Sequence, residues 1–205
     1  AYEGVPVLNG TRLARMEPYV EYRYDITSLL EETNTLVVEI QDCGAVFGPV
    51  NGWENYGGII REVSLEIVPD TYIEDVFFHA NLKDDYTKAE CTAEITLAGE
   101  LADTNVEVTL SRDGVSVASA AALVSDSGKA EWTVEHPDLW SPENPALYQL
   151  TVHAGEDTVC FQVGFKEFTS RGNRFYLNGE PLFLAGVCRH DLWGEEEGHT
   201  LTDAQ

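Results

Sequence analysis

Three observations predict an all-β fold for this chain. Helical periodicity is nearly absent, and short alternating runs rich in Val, Ile, Thr and aromatic residues fill the sequence, bounded by Gly, Asn, Asp and Pro. Three dipeptides, Asn9-Gly10, Asp113-Gly114 and Asn178-Gly179, each stand between two such runs. A two-residue type I′ hairpin turn demands φ > 0 at both positions, and Asn-Gly or Asp-Gly meets that demand at least cost. Finally, the runs recur at a spacing too short to leave room for crossover helices over most of the chain.

Residues 1–69 carry β-type runs near Val5–Leu8, Val20–Tyr24, Thr35–Ile40 and Ile59–Val68. Four strands leave long edges bare, and the sequence opens directly in a strand. The expectation is therefore the carboxyl-terminal part of a larger sandwich. Pro69 and Asp70 interrupt the pattern.

Residues 70–165 contain seven further runs: Tyr72–Ala80, Ala89–Leu97, Asn105–Ser111, Ser116–Leu123, Lys129–Glu135, Leu147–His153 and Asp157–Gly164. Seven short alternating strands within one such stretch fit an immunoglobulin-like β-sandwich. The Cys-Trp-Cys pattern of antibody domains is absent, so strand number and spacing carry the inference.

From residue 166 to 205 the pattern changes. A hairpin around Asn178-Gly179 leads into an unbroken apolar run, Pro181–Val187. A run without alternation predicts a strand buried on both faces, as in a parallel sheet or barrel. Thr200-Leu-Thr-Asp203 has capping-box spacing and predicts the start of a helix.

The chain has 205 residues, enough for one large domain or two small ones and for a sizeable core. Hydrophobic residues make up 43% and charged residues 23%, ordinary globular usage. The charge balance is not ordinary: 12 Lys plus Arg against 36 Asp plus Glu gives a formal net charge of −24. Such a surface repels phosphate backbones and anionic headgroups, which argues against nucleic acid and membrane as partners. Cys43, Cys91, Cys160 and Cys188 are widely spaced, with no Cys-x-x-Cys and no His at zinc-finger spacing. They predict buried free thiols in a reducing, cytoplasmic compartment rather than a metal site or disulfide framework. An export signal of a longer parent protein would lie outside this reading.

Four segments, in order, resemble glycoside hydrolase family 2, the group of β-galactosidases, β-glucuronidases and β-mannosidases. Asp25-Ile26-Thr27 with Asn34-Thr-Leu-Val-Val38 resembles its amino-terminal sugar-binding sandwich. Tyr56-Gly-Gly-Ile-Ile-Arg-Glu-Val63 resembles the segment that closes that domain. Trp140-Ser-Pro-Glu-Asn-Pro-Ala-Leu-Tyr148 resembles a loop of its immunoglobulin-like domain. Val163-Gly-Phe-Lys166, Leu177-Asn-Gly-Glu-Pro181 and Gly186-Val-Cys-Arg-His-Asp191 resemble the run into the first strand of its (β/α)₈ barrel. The resemblance implies an internal fragment of a β-glycosidase. Residues 1–69 would be a partial jelly-roll-like sugar-binding sandwich, 70–165 the immunoglobulin-like sandwich, and 166–205 the first strand of a truncated barrel.

What the resemblance implies about chemistry follows from the retaining mechanism, in which one carboxyl serves as acid/base and a second as nucleophile, ~5–5.5 Å apart. Both are glutamates on later barrel strands, so no catalytic residue is expected in this chain. Glu195, Glu196 and Glu197 read as a solvated, Gly-flanked loop. By resemblance to the family's Arg-His-Glu, His190 would touch a sugar hydroxyl, with Arg189 and Asp191 orienting the pocket. The plainer reading is a salt-bridged strand end. Asp191 is one methylene shorter than the usual Glu, and Cys188 replaces a frequent Asn.

The loop Asn51-Gly-Trp-Glu-Asn-Tyr56 is a second candidate. Gly52 stands where galactosidase and glucuronidase relatives place an aspartate, leaving Asn51 or Glu54 as replacements. Trp53 and Tyr56 can stack on a sugar face or pack beneath the loop. Trp140 reads as a packing residue.

No phosphate loop, nucleophile elbow, metal site or cofactor is expected. The partner implied for the intact enzyme is a β-linked sugar, with a homo-oligomer left open. The competing readings are a stand-alone carbohydrate- or protein-binding sandwich module and a structural immunoglobulin-like spacer. The barrel-start segment argues against both.

Overall fold

The computed structural model describes residues 3–17, 20–41, 58–59 and 61–188. The chain divides into two compact units at Leu65/Glu66, the second running from Glu66 to Gly186.

In the first unit β1 (Glu3–Leu8), β2 (Thr11–Arg12) and β3 (Leu36–Gln41) form an antiparallel sheet in the order β2-β1-β3. Asn9 (φ 49°) and Gly10 (φ 83°) make the expected type I′ turn between β1 and β2. Asn9 also ties the sheet to its connection: its Nδ2 donates to Leu29 O at 2.9 Å, and its Oδ1 accepts from Thr35 N at 2.8 Å. A short 3₁₀ turn, Thr27–Leu29, is the one helical segment among the described residues. Asp25 accepts from Thr27 N at 2.9 Å at its start, a bond that holds the Asp25 carboxyl below the usual range.

Two expected strands do not form. Val20–Tyr24 is irregular, tied down by tyrosine hydroxyls: Tyr22 Oη accepts from Glu17 N and Tyr24 Oη donates to Ala14 O, both at 2.7 Å. Within Ile59–Val68 the described residues form no strand, and Ile59, Val63, Leu65, Ile67 and Val68 are exposed. Both runs have β composition, but no neighbouring strand among the described residues offers a ladder, and composition alone does not make a strand.

The second unit holds all seven expected sandwich strands: β4 (Thr71–Lys83), β5 (Lys88–Gly99), β6 (Thr104–Arg112), β7 (Val115–Val124), β8 (Ser127–Glu135), β9 (Tyr148–Ala154) and β10 (Asp157–Val163). They form two antiparallel sheets, β4-β5-β8 and β10-β9-β6-β7. In the constant-type immunoglobulin arrangement the fourth strand joins the sheet of strands one, two and five; here β7 stays with β6. Asp113 (φ 52°) and Gly114 (φ 78°) explain why: a two-residue type I′ turn returns the chain directly onto its neighbour.

Alternation along each strand sets the core. On β5, Ala89, Cys91, Ala93, Ile95 and Leu97 are buried while Glu90, Thr92, Glu94 and Thr96 point outward. Against them, Val106, Val108 and Leu110 of β6 and Leu150, Val152 and Ala154 of β9 are buried from the facing sheet. Cys91 lies opposite Trp132 of β8 in register, and Trp132 stacks on Phe78 with ring centroids 5.9 Å apart.

The cysteines divide. Cys91 is buried, whereas Cys160 and Cys188 are exposed, a correction to the expectation of uniformly buried thiols. Cys43 lies outside the described residues. Cys160 stands on an outward position of β10 beside the polar Gln149 and Thr151, so alternation sends it to solvent. Burial pushes the Cys91 thiol from 9.0 up to about 12. Native chain treated with an aromatic disulfide at mildly alkaline pH should therefore leave Cys91 unmodified until denaturant is added, with modified residues located by mass spectrometry.

Candidate functional site

Asn51, Trp53, Arg189, His190 and Asp191 all lie outside the described residues, as do Glu54, Tyr56 and Glu195–Glu197. The structure describes the approach to Arg189 up to Cys188, and the way that approach is anchored. Beyond β10, strands β11 (Phe168–Arg171), β12 (Arg174–Leu177) and β13 (Glu180–Leu182) form a small antiparallel meander. Asn178 (φ 50°) and Gly179 (φ 80°) make its second turn, as the sequence predicts.

This meander is bonded to the end of the sandwich at several points. Phe165, between β10 and β11, is fully buried and meets Tyr148 edge-on at 4.9 Å between ring centroids. Its carbonyl accepts from Trp140 N at 2.8 Å. Asn178 is the junction. Its backbone N donates to Glu167 O at 2.8 Å, its Oδ1 accepts from Glu167 N at 2.9 Å, and its Nδ2 donates to Trp140 O at 3.0 Å. Glu167 extends the network, its Oε2 accepting from Tyr86 Oη at 2.8 Å. Gly179 meets the φ that this turn demands, and a Cβ there would stand 3.1 Å from the Tyr86 hydroxyl, close enough that the ring would have to shift by a few tenths of an ångström.

The Trp-Ser-Pro loop is held at both ends. Ser141 N donates to Asn144 O at 2.9 Å, and Asn144 N donates to Ser141 Oγ at 3.1 Å. Tyr148, buried, accepts from Asp138 N at 2.9 Å, while Arg112 pairs with Asp138 and lies over the Tyr148 ring at 5.4 Å. Trp140 is half-buried, with Lys166 Nζ 4.7 Å above its ring. It packs, as its sequence context suggests. Three sequence segments far apart in the chain, Trp140–Tyr148, Val163–Lys166 and Leu177–Pro181, thus meet in one bonded strut. Tyr86 and Glu167 carry no motif, and sequence reasoning missed them. Asn178 was legible as a turn residue but not as a donor and acceptor.

Past this strut the regular structure of the described residues ends. Phe183 and Val187 are almost fully exposed at 90% and 94%, and no strand forms between Phe183 and Cys188. The expected two-sided burial of the apolar run is not met within the described residues. A barrel strand needs a neighbour on each side. Among the described residues no group of three or more His, Cys, Asp or Glu can hold a metal ion, and no helix is long and apolar enough to cross a membrane.

Residues 71–166, the seven-stranded sandwich and its exit, match the family model described as glycosyl hydrolases family 2. The match covers the central sandwich of the chain. The chain is also similar to known glycosidases in sequence and in fold. A β-galactosidase from Clostridium acetobutylicum is 28% identical over 91% of this chain, which spans 22% of that relative. A β-glycosidase structure from Bacteroides vulgatus superposes with TM-score 0.87 and 25% identity, over 98% of this chain and 27% of that one. β-Glucuronidase 3 of Bacteroides uniformis gives TM-score 0.85 at 23% identity, over 100% and 29%. The chain therefore spans about a quarter of the length of these relatives.

The strut makes two expectations measurable. Asn178→Gly keeps the left-handed backbone but removes both side-chain bonds, and should cost about 1–3 kcal/mol from two net hydrogen bonds. Asn178→Ala should cost ~1 kcal/mol more, because a Cβ without a polar side chain is strained at φ 50°. Chemical denaturation of the three proteins checks the order. The second expectation concerns pH. The bond to Glu167 raises the Tyr86 phenol above 10.0. The folded state thus holds this proton more tightly, so the strut's contribution is full below pH 10 and fades as pH rises through the shifted value. Tyr86→Phe should flatten the alkaline limb of the stability profile near pH 10 relative to wild type.

Proposed function

We propose that this chain is the sandwich-bearing portion of a retaining β-glycosidase, supplying scaffold and sugar contacts but no catalytic carboxylate. The observation that carries this reading is the Tyr86–Glu167–Asn178–Trp140 network, which joins the segment that matches the family 2 model to the residues that follow it. It anchors the meander that follows the sandwich, and Arg189, His190 and Asp191 come eleven to thirteen residues after Asn178 in the sequence. Substrate-positioning groups gain rate by being held in place, and displacement of about 1 Å can cost ~100-fold. In this reading residues 1–69 belong to a sugar-binding sandwich, 70–165 to the immunoglobulin-like sandwich, and 166–205 to the first barrel strand.

A β-linked sugar is the substrate class, supported by the relatives' names: β-galactosidase, β-glycosidase and β-glucuronidase. His190 takes a sugar hydroxyl, Arg189 and Asp191 orient the pocket, and Asn51 and Trp53 line its rim. The paired carboxyls of a retaining enzyme lie outside the chain.

Chromogenic β-galactosides, β-glucuronides and β-mannosides should give no turnover above blank with the 205-residue chain. In the longer protein that carries it, His190→Ala should lower kcat/KM by ~10- to 1000-fold with folding unchanged, as loss of a substrate hydrogen bond does. Turnover by the chain alone, abolished by replacing one carboxylate within it, would overturn the proposal.

A further inference from the structure

A glycine that follows Asn or Asp carries no side chain to shield its own backbone nitrogen. That nitrogen can attack Cγ of the residue before it. With Asp, the nitrogen's proton and one carboxyl oxygen leave as water and a succinimide ring forms; with Asn, ammonia leaves and the ring is the same. Water then reopens it. Cleavage at the α-carbonyl leaves the glycine nitrogen on Cγ, an isoaspartate, with one extra methylene in the main chain. The ring closes only when the side chain is free to swing onto the nitrogen, so bonds that hold the side chain away oppose the reaction.

Three described turns carry such a dipeptide, and their backbones are alike: Asn9 (φ 49°) with Gly10 (φ 83°), Asp113 (φ 52°) with Gly114 (φ 78°), and Asn178 (φ 50°) with Gly179 (φ 80°). The side chains set them apart. Asn9 Nδ2 donates to Leu29 O at 2.9 Å and to Asn34 Oδ1 at 2.8 Å, while its Oδ1 accepts from Thr35 N at 2.8 Å. Asn178 is held at both ends of its amide, by Glu167 N and by Trp140 O. Asp113 is not held. Its side chain is 92% exposed, and its polar contact among the described residues is an ion pair with Arg112 Nε at 3.8 Å, a solvated pair of little strength. Arg112 is itself committed elsewhere, to Asp138 and to the face of Tyr148. Tyr86 covers Gly179, whereas nothing beyond the turn comes within 4 Å of where a Gly114 Cβ would stand. The register shift between Leu110 and Ser111 further separates the last pairs of this hairpin, Ser111 with Ser116 and Arg112 with Val115, from the regular ladder. Asn51-Gly52, a fourth such dipeptide, lies outside the described residues.

We infer that Asp113 is a modification site, converted to isoaspartate through a succinimide with Gly114 in the folded chain, and that their side-chain bonds shield Asn9 and Asn178 from the same chemistry. Water is the one reagent, lost on ring closure and regained on opening. The consequence is local. A two-residue type I′ turn has no room for an extra main-chain methylene, so the modified hairpin loses its pairing of Arg112 with Val115. Arg112 is the residue that bonds Asp138 and lies over Tyr148, so the change reaches the base of the Trp-Ser-Pro loop. The inference goes beyond the glycosidase reading and stands without it.

Prolonged incubation of the 205-residue chain near neutral pH tests it, with isoaspartate read by enzymatic methyl transfer from S-adenosylmethionine and located by peptide mapping. Native wild type should accumulate isoaspartate in the peptide that contains Asp113. An Asp113→Asn variant puts the same dipeptide, Asn-Gly, in all three described turns, and the type I′ turn accepts it without strain. Circular dichroism checks that its fold is unchanged. In the native variant, position 113 should deamidate about tenfold or more faster than Asn9 and Asn178, the factor that two net hydrogen bonds per shielded side chain imply. In urea the three positions should react at rates within a few-fold of one another, because the bonds that separate them are gone. Three results overturn the proposal: native wild type that forms no isoaspartate at Asp113, a native variant in which Asn9 or Asn178 reacts as fast as position 113, or a spread of rates that survives unfolding.

Discussion

The structure of the second unit depends on the complete burial of Phe165. An aromatic ring at the end of a two-sheet sandwich closes the core against water, and here it also fixes the exit of the chain. Its edge-to-face packing on Tyr148 and its approach to Phe78, at 6.2 Å between centroids, engage both sheets. With the ring buried, its backbone is held where Trp140 N can bond its carbonyl and Leu139 can pair with it as an isolated bridge. Glu167 and Asn178 then complete a network whose members lie far apart in sequence. Each bond is worth little by itself, but bonds sharing rigid neighbours gain from one another's order.

Most of the sandwich was legible because its information is local. Alternation placed all seven strands, and Asp113-Gly114 and Asn178-Gly179 fixed two turns through a requirement, φ > 0, that few residue pairs meet. The turns led by Gly155 (φ 59°) and Gly172 (φ 63°) follow the same logic, glycine leading where the backbone turns left-handed. What was not legible depends on partners. Val20–Tyr24 and Ile59–Val68 are as rich in β-type residues as β9, but strand formation needs a ladder and the described residues supply none. The strut was half legible: its motifs stood out as resemblances, while the Tyr86 hydroxyl that completes it sits in a turn of Asp, Asp, Tyr and Thr whose composition predicts only a turn. Of the candidate site residues, none falls where their geometry is described; their assignment rests on resemblance and on the anchored segment that precedes them.

The acidity of the chain reads differently once it is mapped onto strands. Net charge supports solubility and repels polyanions, but says nothing about which surface meets a partner. Its distribution separates the two sheets. Exposed pairs such as Glu94 with Lys129, at 2.5 Å, belong to the charged sheet, where each lowers the cost of its neighbour's charge; the Glu94 carboxyl is held below its ordinary range and the Lys129 ammonium above its own. Such pairs are strongly solvated and add little to stability. Their effect is to make that face expensive to dehydrate. The opposite sheet has hydroxyls and amides instead, groups that exchange water for protein partners with small net change.

The exit from the sandwich is bonded as well. Ordering a segment of chain costs conformational entropy, roughly 1–2 kcal/mol per residue. For the meander of β11, β12 and β13 that cost is offset by the burial of Phe165 and by the Asn178 bonds. This offset accounts for the grouping of three sequence segments around one asparagine, which a flexible linker would have no physical reason to require.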